Sequence, residues 1–271
     1  RVGAAVKNNE GEWVLLNGNQ TALMFVYYLI TRWKELGKIN GKEYIVKTIV
    51  TTETIKTIAE RNGVEIYDVY TGFKWIANVM RENEGKKNYI GGGEESYGFL
   101  CEDFVRDKDA VSACVILAEI AAWAKDQGLS LYQLLQKIYV EYGFSKEKGI
   151  SVVKKGKSGA EEIEAMMKKF RENPLTEIAG SKVTYFYDYS TLKGKDYAEN
   201  ETVTLDMPTT SNVLQYFTED NTKVSIRPSG TEPKIKFYCE VHSKVKSIDE
   251  LPEAEKAAEE KINQIKASLG I

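Results

Sequence analysis

The feature that most constrains the fold is an alternation of short apolar runs and longer helical stretches between Tyr44 and Glu141. Tyr44 to Val50 is an apolar run, and Thr51-Thr52-Glu53 after it has helix-start chemistry. The helix that follows should reach Arg61-Asn62-Gly63, where glycine supplies the stop. Val64 to Val69 gives a second strand, Lys74 to Glu82 a second helix, and Asn88 to Ile90 a third strand. Two more helices are expected over Lys108 to Asp126 and Leu131 to Glu141. Strands that alternate with helices of this length point to a parallel α/β sheet.

The flanks read differently. Val2 to Val6 and Glu12 to Leu16 form a predicted hairpin around Asn8-Asn9-Glu10-Gly11, followed by a helix from Gln20 to about Leu36. A hairpin and one helix do not make a domain, so this part reads as the tail of one. After Gly143 the expected elements are a helix from Gly159 to Glu172 and strands at Lys182–Tyr189, Val213–Thr218, Lys223–Arg227 and Lys234–His242. A final amphipathic helix covers Leu251 to Leu269. Runs of strands with a few flanking helices indicate a smaller α+β domain, with its boundary between Gly143 and Gly159. A length of 271 residues fits more than one domain.

Composition removes several classes of function. The 37 basic and 40 acidic residues leave a net charge of −3, which argues against a nucleic-acid partner. No run approaches the ~20 apolar residues of a membrane span, and no signal-peptide pattern opens the chain. Cys101, Cys114 and Cys239 are odd in number and lack metal-type spacing. They read as free thiols in a reducing cytoplasm. The single histidine, His242, sits in an alternating stretch that reads as a strand end, so neither a Cys/His zinc site nor a Ser-His-Asp triad is expected.

Three loops carry chemistry. Arg227-Pro228-Ser229-Gly230-Thr231-Glu232-Pro233 lies between two predicted strands. An arginine fork, two hydroxyls and a glycine that lets backbone N–H groups turn inward suit a phosphate. On residue types alone a tight turn capped by Ser and Thr fits equally well. Gly91-Gly92-Gly93-Glu94-Glu95-Ser96-Tyr97-Gly98 puts carboxylates and a hydroxyl at the carboxyl end of a strand, where open α/β sheets bind ligands. A polar turn is the competing reading, and two adjacent glutamates on a strand would face opposite sides. Thr71-Gly72-Phe73-Lys74-Trp75 places a lysine at a helix N-terminus, unfavourable by roughly 0.3–1 kcal/mol unless an anion sits there. Taken alone, that lysine fits a side chain swung into water.

Taken together and in this order, the three loops resemble those of the α-D-phosphohexomutases, the phosphoglucomutase/phosphomannomutase enzymes. On that resemblance Gly93 to Gly98 is the sugar-recognition loop, with Glu94 and Ser96 bonding sugar hydroxyls. Thr71, Gly72 and Lys74 line the same site. Arg227, Ser229, Gly230 and Thr231 grip the phosphate that does not react. The implied fold is a three-layer α/β domain with a mixed sheet, followed by a smaller α+β domain with helices on one face of an antiparallel sheet. Residues 1–38 would be the remnant of a second domain, 39–143 the third and 144–271 the fourth.

The departures are as informative. Family members carry a phosphorylated serine and an aspartate-rich Mg²⁺ loop, and neither pattern occurs in this sequence. Arg1-Val2-Gly3-Ala4-Ala5-Val6 is similar to the stretch that follows the metal loop, which makes Arg1 a remnant of that site. The expectation is a recognition half without catalytic or metal-ligating residues, inactive alone. Its partners would be a hexose or pentose phosphate and the missing N-terminal domains, with Mg²⁺ and a hexose 1,6-bisphosphate activator serving the full-length enzyme. A phosphopentomutase-type member, a non-catalytic sugar-phosphate-binding module and an assembly fragment are the alternatives.

Overall fold

The computed structural model describes residues 1–154, 156–230 and 232–271. Thr231, one of the expected phosphate ligands, lies outside them. The chain divides into two compact units, one of residues 1–144 with 244–251, the other of residues 145–243 with 252–271.

The first unit opens with an antiparallel hairpin, β1 (Ala4–Lys7) and β2 (Trp13–Leu16), and the helix α1 (Gly18–Glu35). Asn17 caps α1 reciprocally with Gln20, so the helix begins two residues before the predicted start. Then come β3 (Glu43–Thr48), α2 (Thr54–Arg61), β4 (Glu65–Val69), α3 (Phe73–Asn83), β5 (Asn88–Gly93), β6 (Phe99–Cys101), α4 (Ala110–Asp126) and α5 (Leu131–Tyr142). The sheet order is β4-β3-β5-β6. The first two pairings are parallel and β5–β6 is antiparallel, so the sheet is mixed.

Every residue of β3 is buried, as expected of a central strand covered on both faces. Tyr44 and Val46 point to one face and pack with Phe73, Ile76 and Met80 of α3. Ile45 points to the other, where its β5 neighbour Gly91 lies against Leu29 of α1. Helices on both faces make three layers.

α2 starts at Thr54, directly after Thr51-Thr52-Glu53, where Thr48 and Thr51 close a turn, backbone to backbone at 2.9 Å and hydroxyl to hydroxyl at 2.8 Å. One prediction is corrected here. β5 continues through Gly91, Gly92 and Gly93, expected as a loop. A side chain at Gly92 would stand 2.3 Å from the Val46 carbonyl oxygen, so these glycines serve close strand approach.

The second unit runs β7 (Phe144–Val153, beginning at the unit boundary), α6 (Gly156–Glu172), β8 (Glu177–Ile178), β9 (Ser181–Asp188), β10 (Lys193–Asp196), β11 (Glu201–Thr204), β12 (Leu214–Thr218), β13 (Lys223–Pro228), β14 (Lys234–Ser243) and α7 (Leu251–Leu269). Its sheet order is β11-β10-β9-β12-β13-β14-β7, with β8 added on β9. Neighbours from β11 through β14 pair antiparallel. Ile163, Met167 and Phe170 of α6 and Ala258, Ile262 and Ile265 of α7 are buried. Phe170 meets Phe237 of β14 edge-on at 6.3 Å, which puts α6 on the face that carries Ile235, Phe237 and Cys239. β7 occupies much of the stretch expected to hold a boundary, and its Lys, Glu and Gly content hid it.

Candidate functional site

In the first unit the site grows from the β5–β6 turn. The Glu94 N–H donates to the Gly98 carbonyl at 2.8 Å, closing the turn. Glu94 is only 6% exposed, and its carboxylate accepts from the Gly72 N–H at 2.9 Å. Gly72 has φ +114°, a conformation that favours glycine, and it precedes the first turn of α3. The two loops expected to share a ligand are thus joined by one carboxylate. The neighbouring Glu95 turns elsewhere, to the Thr48 hydroxyl at 3.4 Å. The expected divergence of the two glutamates holds, although both lie in the turn and not in the strand.

Ser96 Oγ accepts from the Arg1 guanidinium at 2.8 Å, and the same guanidinium bonds the Ser96 carbonyl. The Val2 N–H donates to Tyr97 O at 3.0 Å. The start of α1 lies against this turn, since a side chain at Gly18 would come 1.9 Å from the Glu95 carbonyl oxygen. Thr71 is half-buried beside Gly72. Lys74 is exposed on the first turn of α3, with its ammonium 4.9 Å from the Trp75 ring centre. Among the described residues no carboxylate pairs with it, so it is available to an anion at the helix start.

These loops stand on an ion cluster built around a buried lysine. Lys47, 1% exposed near the end of β3, pairs with Asp68 at 2.6 Å and Glu53 at 2.9 Å. Burial alone would depress its pKa, but the two carboxylates outweigh burial and raise it. Lys47 therefore ties the β3–α2 connection to β4, whose chain continues into Thr71 and Gly72.

In the second unit Arg227 is the fifth residue of β13, and Ser229 follows the strand. The Ser229 N–H donates to the Lys234 carbonyl at 2.8 Å, and Ser229 Oγ accepts from the Glu232 N–H at 3.3 Å. Space around Gly230 is open: a side chain there would meet nothing within 4 Å. Arg227 stands directly opposite Lys236 of β14. Opposed residues share a sheet face, and like charges so placed repel. Among the described residues neither cation has a carboxylate within 4 Å, although Lys236 is near enough to Glu232 to help hold that carboxyl below its usual range.

Farther along the same strands, on the same sheet face, the buried Lys223 and Glu240 and the half-buried His242 form a charge row. The Glu240 carboxylate lies 2.9 Å from Lys223 Nζ and 2.8 Å from His242 Nε2, as ion pairs. Burial opposes ionisation of Glu240, but Lys223 and then His242 outweigh it and hold the carboxyl well below its usual range. Burial alone would lower the His242 pKa, and Glu240 overcomes it and raises it. His242 is the strand-end histidine the sequence implied, here part of a structural charge row.

The comparisons with known proteins join these observations. Residues 17–142 match the family description "Phosphoglucomutase/phosphomannomutase, alpha/beta/alpha domain III", and residues 151–258 match "Phosphoglucomutase/phosphomannomutase, C-terminal domain". The chain belongs to the phosphoglucomutase/phosphomannomutase family. It is 37% identical over 238 residues to a phosphoglucomutase of Staphylococcus aureus, covering 88% of this chain and 42% of that protein. It is 33% identical over 242 residues to one of Staphylococcus haemolyticus, covering 89% and 43%. The chain therefore spans less than half the length of these relatives.

Two solved structures share the fold. One is the open form of parafusin, a phosphoglucomutase of Paramecium, with TM-score 0.56, 16% identity and coverage of 96% of this chain and 43% of that one. The other is a phosphoglucomutase/phosphomannomutase family protein of Burkholderia thailandensis, with TM-score 0.56, 16% identity and coverage of 98% and 44%.

Two further cations beside these loops escaped the sequence reading. Lys236 is one; its signal was the alternation of β14, which aligns it with Arg227. Lys108 is the other. Its ammonium lies 5.2 Å from the Phe73 ring centre, and its side chain borders Gly98, so it touches both first-unit loops. Nothing local in Asp107-Lys108-Asp109 signals that, because the contact depends on where the chain after β6 returns. Metal chemistry has no matching donor set: among the described residues no group of three or more His, Cys, Asp or Glu side chains converges to hold an ion. Glu53 and Asp68, the acidic pair nearest the first-unit loops, are already neutralised by Lys47.

Proposed function

We propose that this chain is the sugar- and phosphate-recognition part of a phosphohexomutase, which moves a phosphoryl group between the 1 and 6 positions of a hexose phosphate. The observation that carries the proposal is the opposition of Arg227 and Lys236, two cations on one sheet face with no carboxylate within 4 Å of either among the described residues. A phosphate dianion between them would convert repulsion into charge-assisted hydrogen bonds. Ser229, Gly230 and Thr231 complete the clamp. Glu94, oriented by Gly72, and Ser96 read the sugar hydroxyls, while Lys74 adds positive charge beside them. The names of the relatives favour glucose phosphates as substrates.

The phosphoserine, the Mg²⁺ site and the response to a hexose 1,6-bisphosphate belong, on this reading, to the part of the protein that the relatives carry outside the matched region. When bound there, Mg²⁺ would neutralise charge on the transferring group. The chain alone holds its ligand without turning it over, in the cytoplasm. Among the described residues no helix is long and apolar enough to cross a membrane.

Conversion of glucose 1-phosphate to glucose 6-phosphate, with Mg²⁺ and a trace of glucose 1,6-bisphosphate, tests this. We expect no turnover by the 271-residue chain and turnover by a version extended through an N-terminal half. Turnover by the short chain would overturn the division of labour.

A further inference from the structure

Tyr97, inside the β5–β6 turn, holds a backbone conformation that its side chain disfavours. Its φ is +70°, in the left-handed region, where a Cβ crowds the following carbonyl oxygen. Hairpin connections often need one such residue, and it is normally glycine or asparagine. Here a glycine is the very next residue, yet Gly98 does not take the left-handed conformation. It serves a different end: a side chain at Gly98 would stand 2.9 Å from Glu94 Oε2 and 3.0 Å from Lys108 Cδ. Room for the Glu94 carboxylate fixes the glycine at 98, and the left-handed position falls on an aromatic residue.

Packing does not offset the strain. Tyr97 is 41% exposed, and among the described residues its hydroxyl has no hydrogen-bond partner. Its ring comes only to the edge of the hairpin, where a side chain added at Gly3 would be 4.0 Å from Tyr97 Cδ1. The bond that Tyr97 contributes to its surroundings uses its carbonyl, which accepts from the Val2 N–H at 3.0 Å and would be present with any residue there. Asparagine would take the same conformation with less strain. Strain of this kind persists at sites where a particular side chain is needed.

The surroundings indicate what the ring does. Tyr97 walls a cavity of about 420 Å³ together with Arg1, Leu15 and Leu16, the size of a small-molecule site. Arg1 also donates to Ser96 Oγ at 2.8 Å, so the cavity lies beside a hydroxyl already read as a sugar contact. A hexose has two kinds of surface. Its rim of hydroxyls suits Glu94 and Ser96, and its face of C–H groups suits an exposed aromatic ring.

We propose that Tyr97 is a specificity-determining residue, its ring covering the C–H face of the hexose whose hydroxyls Glu94 and Ser96 hold. This rests on the reading of the turn as the sugar site. It goes beyond that reading in naming the residue that favours a sugar ring over a bare phosphate.

Calorimetry and melting of the 271-residue chain test this with two variants. Tyr97→Asn removes the ring and relaxes the backbone, and Tyr97→Phe keeps the ring. Tyr97→Asn should melt no lower than the wild type, bind glucose 1-phosphate about tenfold more weakly and bind inorganic phosphate unchanged. Tyr97→Phe should restore the glucose 1-phosphate affinity. Wild-type glucose 1-phosphate affinity in Tyr97→Asn would overturn the inference. So would a lower Tm in that variant, which would assign the ring to packing, or an equal loss for inorganic phosphate. A wild type that binds inorganic phosphate but not glucose 1-phosphate would reject the sugar reading itself, and the inference with it.

Discussion

The two units solve one problem, holding polar ligand-binding loops rigid, in different ways. In the α/β unit the loops sit at the carboxyl ends of parallel strands, and each is fixed by another loop: Glu94 by Gly72, Ser96 by Arg1, Glu95 by Thr48. In the antiparallel unit the phosphate loop is a hairpin connection fixed by its own strands, through Ser229 and Lys234. The first arrangement suits reading a pattern of hydroxyls, because several loops contribute one group each. The second suits a charge clamp, because β13 and β14 bring Arg227 and Lys236 together by register alone. A loop held by other loops is sensitive to distant changes; a hairpin held by register is not.

Each unit also keeps a buried lysine, and removing it gives the largest expected effect. Lys47→Ala strands Asp68 and Glu53, and Lys223→Ala strands the buried Glu240. For Lys223→Ala, which leaves the buried Glu240 uncompensated, breaking the pair costs about 3–5 kcal/mol, read as a loss of denaturation midpoint; Lys47→Ala costs less, because Asp68 and Glu53 reach solvent. The two variants differ in what else they change. Lys47→Ala should also weaken sugar-phosphate binding in whatever fraction stays folded, since it loosens the strand that leads to Gly72. Lys223→Ala should leave folded material with normal affinity.

Next in size is the clamp. Charge-assisted hydrogen bonds are worth roughly 1.5–3 kcal/mol, so Arg227→Ala should weaken both inorganic phosphate and glucose 1-phosphate about 10- to 150-fold in calorimetry. Lys236→Ala should follow with a smaller loss. A loss confined to the sugar phosphate would place Arg227 in the wrong half of the comparison.

Gly18→Ala tests the dependence of the first unit on distant support. A methyl group 1.9 Å from the Glu95 carbonyl forces the 94–98 turn to move. Glucose 1-phosphate affinity should fall about tenfold, on the order of 1.4 kcal/mol, while phosphate affinity stays. Equal losses for both ligands would remove the distinction between the two designs.

How much of this was legible in the sequence follows from how local each feature is. The hairpin turn, the alternation through α3, the α4 and α5 helices and the whole of α7 rest on short-range periodicity and on caps such as Asn17 and Ser130. Three-residue β6 is too short to show a period, and the four-residue strands β10 and β11, KGKD and ETVT, hold a single apolar side chain between them and so show no alternation. The same division applies to the site. Arg227 and Glu94 stand in loops whose composition is unusual by itself. Lys236 becomes meaningful only through strand register, Lys108 only through the return of the chain after β6, and the Glu94–Gly72 bond only through the sheet order that sets β4 and β5 on either side of β3.

The smallest effect is on pH. His242 has its pKa raised above the ordinary 6.5 in the folded chain, by Glu240 against the effect of burial. The stability its imidazolium adds is full below about pH 6.5 and is lost as pH rises through the folded value. Glu240 acts in the opposite sense, its contribution disappearing only in strong acid as pH falls through its depressed value. Tm should therefore decline above neutrality in the wild type and decline less in His242→Gln. Identical pH profiles would leave Glu240 served by Lys223 alone.

The central claim is that phosphate is held by the second unit and sugar hydroxyls by the first. Calorimetric titration of inorganic phosphate and glucose 1-phosphate into the wild type, Arg227→Ala and Glu94→Gln tests it most directly. The predicted result is loss of both ligands in Arg227→Ala, and loss of only the sugar phosphate in Glu94→Gln. Wild-type affinity for both ligands in Arg227→Ala would contradict it.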